Sequence, residues 1–153
     1  MMRIVISLLV LALAASTAYA GDAPGWFYKT LKVDDPEQLA YFVTVRDCPV
    51  STDEVQEIVE NVFLDNRITP LKEDIYVYDR VYLNVGVTCV PLKNNNPIFS
   101  VMAEYGRHRP YPPVIYDVDF GYMGIGSKDF MERHIKDCTE RAVTAFIEAN
   151  FEY

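Results

Sequence analysis

Apolar residues occupy every second position in four stretches of the chain, which is the spacing of β-strands with one buried face. In the clearest of them, Val81, Leu83 and Val85 share one face, while Tyr82 and Asn84 share the other. An asparagine-rich turn joins the second and third stretches, so these two strands are predicted to form a hairpin. The four stretches are residues 39–46, 75–92, 98–105 and 114–122.

Two further stretches repeat apolar residues at three- and four-residue steps, as an amphipathic helix packed on a sheet does. The first runs from Ser51 to about Asp65, and Ser51 with Glu54 has the pattern of a capping box. The second starts at about Ser127 and reaches the C-terminus. The resulting βαβββα order predicts an α+β fold, a two-layer sandwich with a mostly antiparallel sheet and both helices on one face.

The start of the chain has the three parts of a secretory signal peptide: a basic first segment, an apolar run at residues 4–15, and small residues ending at Ala20. This run is shorter than the roughly 20 residues that span a bilayer, and no later segment approaches that length, so we expect no membrane span. We therefore expect a signal peptide at 1–20, an N-terminal arm at 21–38 and one α+β domain at 39–153. The expected location is periplasmic or secreted.

The charge of the chain narrows the class of partner. Removing Arg3 with the signal leaves 13 of the 14 Lys and Arg residues against 22 Asp and Glu, so the mature chain carries a net charge of about −9. An acidic surface of this kind disfavours binding to nucleic acid and to anionic membranes. The expected partner is another protein of the cell envelope.

Three cysteines in an exported chain allow one disulfide and one free thiol. Cys48 follows the first predicted strand and Cys89 ends the second, and a right-handed crossover makes these strands parallel, so both cysteines lie at the same edge of the sheet. Cys138 lies roughly 16 Å along the last helix, nearer the middle of the sheet. We predict a Cys48–Cys89 disulfide, with Cys89–Cys138 as the alternative.

The face of the predicted sheet that the helices leave uncovered is one candidate binding surface. Tyr82 and Thr88 lie on this face, and exposed tyrosines are frequent at protein interfaces. The aromatic triplet at residues 26–28 could instead cover it. The sequence leaves both interpretations open, and also whether this face pairs with a second copy of the chain.

The connection at residues 107–113 is a second candidate surface, because it gathers two arginines, a histidine and a tyrosine among three prolines. Arginine and tyrosine are enriched at interface centres, and prolines reduce the entropy lost on binding. The alternative is that the prolines only prevent pairing with other strand edges. The residues predicted to bind a partner are Arg107, His108, Arg109, Tyr111 and Tyr82.

The sequence contains no motif of the common metal-dependent, nucleophilic or nucleotide-dependent enzymes, so we expect a non-enzymatic protein without cofactor or metal. His134 and Cys138 lie four residues apart, but a core cysteine beside a surface histidine is the favoured interpretation. Residues 121–127 favour a tight turn ending in a serine helix cap rather than an anion site. Asp117 and Asp119 favour a solvated strand face rather than a cation site.

Together these features favour an exported protein-binding or adaptor domain of the cell envelope. The alternative is an acidic inhibitor or immunity protein that covers a basic toxin or hydrolase, which the net charge favours. Salt distinguishes the two, because association steered by charge slows steeply as salt rises and association through an aromatic face does not.

Overall fold

The computed structural model describes residues 23–72, 77–93, 96–109 and 114–151. The chain has an α+β fold with an open, mixed sheet. The described elements are α1 (Gly25–Thr30), β1 (Gln38–Arg46), α2 (Thr52–Asp65), β2 (Thr69–Leu71), β3 (Val81–Val90), β4 (Ile98–Arg107), β5 (Val114–Asp119), β6 (Tyr122–Ile125) and α3 (Lys128–Asn150).

The described strands form one sheet in the order β2-β1-β3-β4-β5, and β6 pairs with the other half of the β4 edge that β5 occupies. Strand β1 is parallel to both β2 and β3, whereas β4 is antiparallel to β3, β5 and β6. Tyr41, Leu83 and Tyr105 form one row across the sheet. Tyr41 packs on Phe63 of α2, and Tyr105 stacks on Phe146 of α3, so both long helices cover the same face.

The caps of the two long helices are as predicted. The Ser51 side chain accepts a hydrogen bond from the Glu54 amide, and the Glu54 carboxylate accepts one from the Ser51 amide at 2.8 Å. Ser127 caps α3 by accepting from the Phe130 amide. These local bonds satisfy amides that have no partner within the helix, which fixes where each helix begins.

Within the predicted N-terminal arm at 21–38, Gly25–Thr30 forms helix α1, which the sequence patterns did not indicate. The cause is tertiary packing: Phe27 is fully buried, with ring centroids 6.1 Å from Tyr105 and 6.3 Å from Tyr116. Tyr105 is on the helix-covered face of the sheet, so Phe27 packs there. The aromatic triplet therefore does not cover the opposite face, where Tyr82 lies.

Two predicted strands have different limits in the structure. The strand predicted at residues 75–92 begins only at Val81, since residues 77–79 form a bend and turn, while residues 75–76 lie outside the described part. The strand predicted at 114–122 is divided into β5 and β6, and the register with β4 shifts between Gly106 and Glu104. Both parts still pair antiparallel with β4, as the alternation predicts.

The predicted disulfide joins Cys48 and Cys89, whose Cα atoms are 5.0 Å apart. Cys138 is a free thiol, fully buried on the sheet side of α3. The alternative bridge between Cys89 and Cys138 is therefore excluded. The parallel pairing of β1 with β3, which the crossover argument required, places the two bridged cysteines at the same end of the sheet.

Candidate binding surfaces

Arg107, the first predicted binding residue, is held against the body of the protein. Its Nη2 donates to the carbonyl oxygens of Thr30 at 2.8 Å and Lys32 at 3.3 Å, which are at and just beyond the end of α1. Its Nη1 donates to the Asp79 carbonyl and carboxylate, both at 3.0 Å, and its Nε to the Tyr116 hydroxyl at 3.1 Å. All three nitrogens of the guanidinium therefore donate hydrogen bonds, and they connect α1, the 77–80 segment and β5.

The residues after Arg107 remain nearer to solvent. Arg109 pairs with the Asp79 carboxylate at 3.4 Å, and its side chain is half exposed. The His108 backbone continues the ladder between β4 and the 79–80 segment, donating to Arg80 and accepting from Asp79. Asp79 adopts a positive φ of 59°, so it joins both arginines from a sharply turned backbone. Tyr111 lies outside the described residues.

Tyr82 lies on the predicted face, the one opposite the helices, but the expectation that it is exposed was wrong. Only 7% of the residue is accessible, because its ring packs against Phe42 at 5.3 Å and lies over Gly106. A Cβ at Gly106 would be 2.4 Å from the Tyr82 ring, so glycine is what lets the ring lie flat on β4. Burial, followed by the charge of Glu104, raises the pKa of the Tyr82 phenol.

The opposite end of the same helix-free face carries a group of exposed apolar side chains, which we name the Ile98 patch. Across the sheet, Val90 of β3 is beside Ile98 of β4, and Ile98 is beside Ile125 of β6. The exposed fractions of Ile98, Ile125 and Met123 are 36%, 58% and 73%. The Ile98 patch consists of Val90, Ile98, Met102, Met123 and Ile125.

The border of the Ile98 patch is acidic on one side. Glu104 and Asp119 are cross-strand neighbours on the helix-free face, two residues along the strands from Met102 and Gly121. The Asn84 amide donates to Glu104 at 2.9 Å, whereas Asp119 forms no ion pair with any described residue. An apolar centre with a charged border is the usual anatomy of a protein-binding surface.

His134 and Cys138 do not form a nucleophile with its base. The His134 ring stacks on Tyr122 with centroids 3.5 Å apart, and burial lowers its pKa. Burial raises the pKa of the Cys138 thiol, and Arg141 donates to its sulfur at 3.3 Å. A buried thiol with a raised pKa is a poor nucleophile, so this cluster is packing rather than chemistry.

The glycine-rich stretch forms a strand rather than the tight turn predicted at residues 121–127. Tyr122–Ile125 is β6, and only the serine cap of the prediction is present, at Ser127. Asp119 is exposed on the helix-free face, while the Asp117 side chain is outside the described set. No group of three or more acidic, histidine or cysteine side chains suited to a metal ion occurs among the described residues.

A cleft of about 460 Å³ opens at the Arg107 end of the sheet, between the 32–40 segment and residues 77–81. Lys32, Asp34 and Arg80 are among its lining residues. Arg107 also lines it, but its guanidinium is already saturated by the bonds described above. Arg107 is therefore not available to bind a ligand in this cleft.

The sequence contains a signal for the Ile98 patch, but the alternation of residues alone does not show whether this part of the strand is buried or exposed. Strand β4 carries Phe99 and Val101 on one face and Ile98 and Met102 on the other, so both faces are apolar at this end. A strand that is apolar on both faces is usually buried on both. Here the helices cover one face, and nothing in the described part of the chain covers the other at this end.

No family model and no curated protein matches the sequence. Among solved structures, the chain is similar to a minor lipoprotein from Acinetobacter baumannii, with 10% identity and a TM-score of 0.41, over 73% of this chain and 91% of that one. A similarity at this level carries no inference about function. None of the described helices is both long and apolar enough to span a membrane.

Proposed function

We propose that the mature protein is an exported, non-enzymatic binding domain of the cell envelope, which contacts its partner protein through the Ile98 patch. The observation that carries the proposal is the row of exposed apolar side chains on a sheet face that no described element covers. Isolated exposed apolar residues are ordinary, but contiguous ones on a soluble domain mark interaction sites.

Two further features support an exported location. The N-terminal pattern of residues 1–20 is that of a secretory signal. The Cys48–Cys89 disulfide is of a kind that persists in oxidising compartments such as the periplasm and is rare in the cytosol.

The test uses two isoleucines with the same exposure on the same face. Ile125 in the patch and Ile115 at the Arg107 end are both 58% exposed. We expect Ile125→Thr, combined with Ile98→Thr, to abolish crosslinking to the partner in the native envelope, while Ile115→Thr preserves it. All variants should keep the free energy of unfolding within about 0.5 kcal/mol per exposed substitution. Equal capture by all variants would overturn the Ile98 patch as the site.

The segment with His108, Arg109 and Tyr111 remains a second predicted contact. Its test is the pair Arg109→Ala and Tyr111→Ala in the same crosslinking experiment. Loss of capture in this pair, with full capture by the Ile98→Thr/Ile125→Thr protein, would move the site to the other end of the sheet.

The acidic inhibitor is the alternative function, favoured by the net charge of −8 for the full chain and by the exposed Asp119 at the patch border. Association steered by charge loses rate steeply between low and physiological salt. An association rate that is nearly constant over this range supports the binding domain. A steep fall in the association rate, measured with the captured partner, supports the inhibitor.

A further inference from the structure

Strand β6 rests on α3 through a stack of aromatic rings on the helix side of the sheet. The Tyr122 ring lies over Gly124, where a Cβ would be 2.8 Å from it, and the His134 ring stacks on Tyr122 with centroids 3.5 Å apart. Phe130 lies at a steep angle to His134, with centroids 4.5 Å apart, and Phe99 of β4 is 6.3 Å away. His134 is therefore at the centre of the contact between α3 and β6.

One nitrogen of the His134 ring has no partner in this stack. Its Nδ1 is buried, and no described residue forms a hydrogen bond with it. The neutral ring carries a hydrogen on one nitrogen only, whereas the imidazolium carries one on both. Protonation therefore places a charged N–H donor in the stack without an acceptor, which costs more free energy than a bare nitrogen does.

The charged side chains around His134 also disfavour a further positive charge. The Arg133 guanidinium lies 5.5 Å from the centre of an aromatic ring of the stack, so the cluster already holds one cation. Asp137 attracts the imidazolium, but its carboxylate pairs with Arg141 at 3.4 Å. Strand β6 contributes only the Tyr122 phenol as a titratable group, and β4 contributes an uncharged ring. Burial, supported by Arg133 and Arg141 against Asp137, lowers the pKa of His134.

We propose that His134 is a proton-sensitive contact, which holds β6 on α3 when its ring is neutral and releases β6 when the ring is protonated. Strand β6 carries Met123 and Ile125, the two most exposed members of the Ile98 patch. A strand released from α3 no longer holds these two side chains in a fixed position beside Ile98. In this respect the inference rests on the proposed function, because it places the patch under the control of pH.

The direction of the pH effect follows from the lowered pKa. When β6 is released, the imidazole takes up a proton near its ordinary pKa of 6.5, whereas in the stack it does so only at lower pH. The contact is therefore at full strength above pH 6.5 and weakens as the pH falls below this value. The opening equilibrium of β6 should rise by about tenfold in total for each pH unit that separates 6.5 from the folded-state pKa.

The first test is an NMR titration of the purified mature protein from about pH 8 to about pH 5. The chain has two histidines, and His108→Gln assigns their ring signals. We expect the His134 ring to titrate below pH 6.5, and the Met123 and Ile125 amide signals to shift with the same midpoint. A midpoint at 6.5 or above, which attraction of the imidazolium to the Tyr122 face would produce, overturns the proposal.

The second test distinguishes release of β6 from a change of charge beside it. The amides of Phe120 and Gly126 donate towards β4, so by alternation the Gly124 amide does too. Its protection from hydrogen exchange, corrected for the intrinsic effect of pH, reports opening of the strand. We expect this protection to fall between about pH 7.5 and about pH 5, while the Val85 amide at the centre of the sheet keeps its protection.

His134→Phe is the matched variant, because phenylalanine can stack on Tyr122 but takes up no proton. We expect its Gly124 protection to be the same at both pH values, whereas His108→Gln should retain the wild-type loss. An equal fall in the wild type and in His134→Phe overturns the proposal. If His134→Phe fails to fold, the wild type alone decides: Gly124 protection that stays constant while His134 titrates overturns the proposal.

Neither test needs the partner protein, so the two proposals can fail separately. A protein whose β6 opens in acid but which captures no partner contradicts the proposed function alone. Capture through the Ile98 patch by a protein whose β6 protection does not change with pH contradicts this inference alone. If both hold, capture by the wild type should weaken below pH 6.5, and capture by His134→Phe should not.

Discussion

The two ends of the sheet are held together by different means. At the Arg107 end, one guanidinium binds the end of α1, the Asp79 segment and Tyr116, and the Asn150 side chain of α3 bonds to Leu31 and Val33. At the Ile98 end the elements are joined by the Cys48–Cys89 disulfide and by the Lys128–Glu54 ion pair between α3 and α2. Polar networks therefore hold one end together, whereas a disulfide with one ion pair holds the other.

The way in which each end is held together explains why the Arg107 side chain is not free at one end and why the Ile98 end has an exposed apolar surface. At the Arg107 end, the guanidinium of Arg107 is fully engaged in holding the end of α1 and Tyr116, so this side chain is not free to bind a partner. The Ile98 end is held by a covalent bond and by contacts on the helix side. Contacts on the helix-free face are therefore not needed to hold this end together. A charged cluster can thus be structural while an apolar strand end stays open.

Breaking the disulfide should have the largest effect on stability. We expect Cys48→Ala/Cys89→Ala to lower the free energy of unfolding by about 3–4 kcal/mol, since the bond closes a loop of 41 residues in the unfolded chain. Urea unfolding of the purified protein measures this loss. A decrease below about 1 kcal/mol would mean that other contacts hold the Ile98 end.

Removing the guanidinium at the other end should rank second. Arg107→Ala leaves the carbonyls of Thr30 and Lys32 without this donor, so we expect a loss of about 2–3 kcal/mol. Arg109→Ala is the matched control, because its half-exposed ion pair with Asp79 should contribute less than about 1 kcal/mol. Equal losses in urea unfolding would show that Arg107 is not the organising residue.

Adding one methyl group beneath Tyr82 should have a smaller effect. Gly106→Ala places a Cβ in the Tyr82 ring, which must move outward, and we expect a loss of about 1–2 kcal/mol. At Gly86 the nearest atom is Thr44 Oγ1 at 3.5 Å, an ordinary contact, so Gly86→Ala should be neutral or stabilising. Thermal unfolding of the two variants checks this order, and a more stable Gly106→Ala protein would contradict the packing of Tyr82.

The smallest effect concerns acid stability at the Ile98 end. The bond from Lys128, followed by those from Ser51, lowers the pKa of Glu54 from its ordinary 4.5 to about 2. A carboxylate with a lowered folded-state pKa stabilises the protein above pH 4.5, and this contribution is lost as the pH falls towards 2. Glu54→Gln should flatten the melting temperature between pH 4.5 and 2, whereas Glu57→Gln, on the same helix, should not. Parallel pH profiles for all three proteins would contradict this role.

Much of the fold is predictable because its signals are local. The helix starts at Ser51 and Ser127 depend on side chains within three residues of the amides that they cap. The Cys48–Cys89 pairing follows from the handedness of one crossover, which is a strong rule. Helix α1 is different: its six residues carry no side-chain cap, and the burial of Phe27 by distant strands supports it.

The sequence by itself determined the α+β class, the two long helices, the antiparallel pairing of β3, β4 and β5, and the disulfide, since periodicity, caps and crossover handedness act over short or fixed separations. Only the tertiary structure decided which candidate surfaces are open. Whether Arg107 meets solvent depends on α1, more than 70 residues earlier in the chain. Whether Ile98 is core or surface depends on which sheet face α2 and α3 cover, because alternation identifies two faces but not the one that is buried.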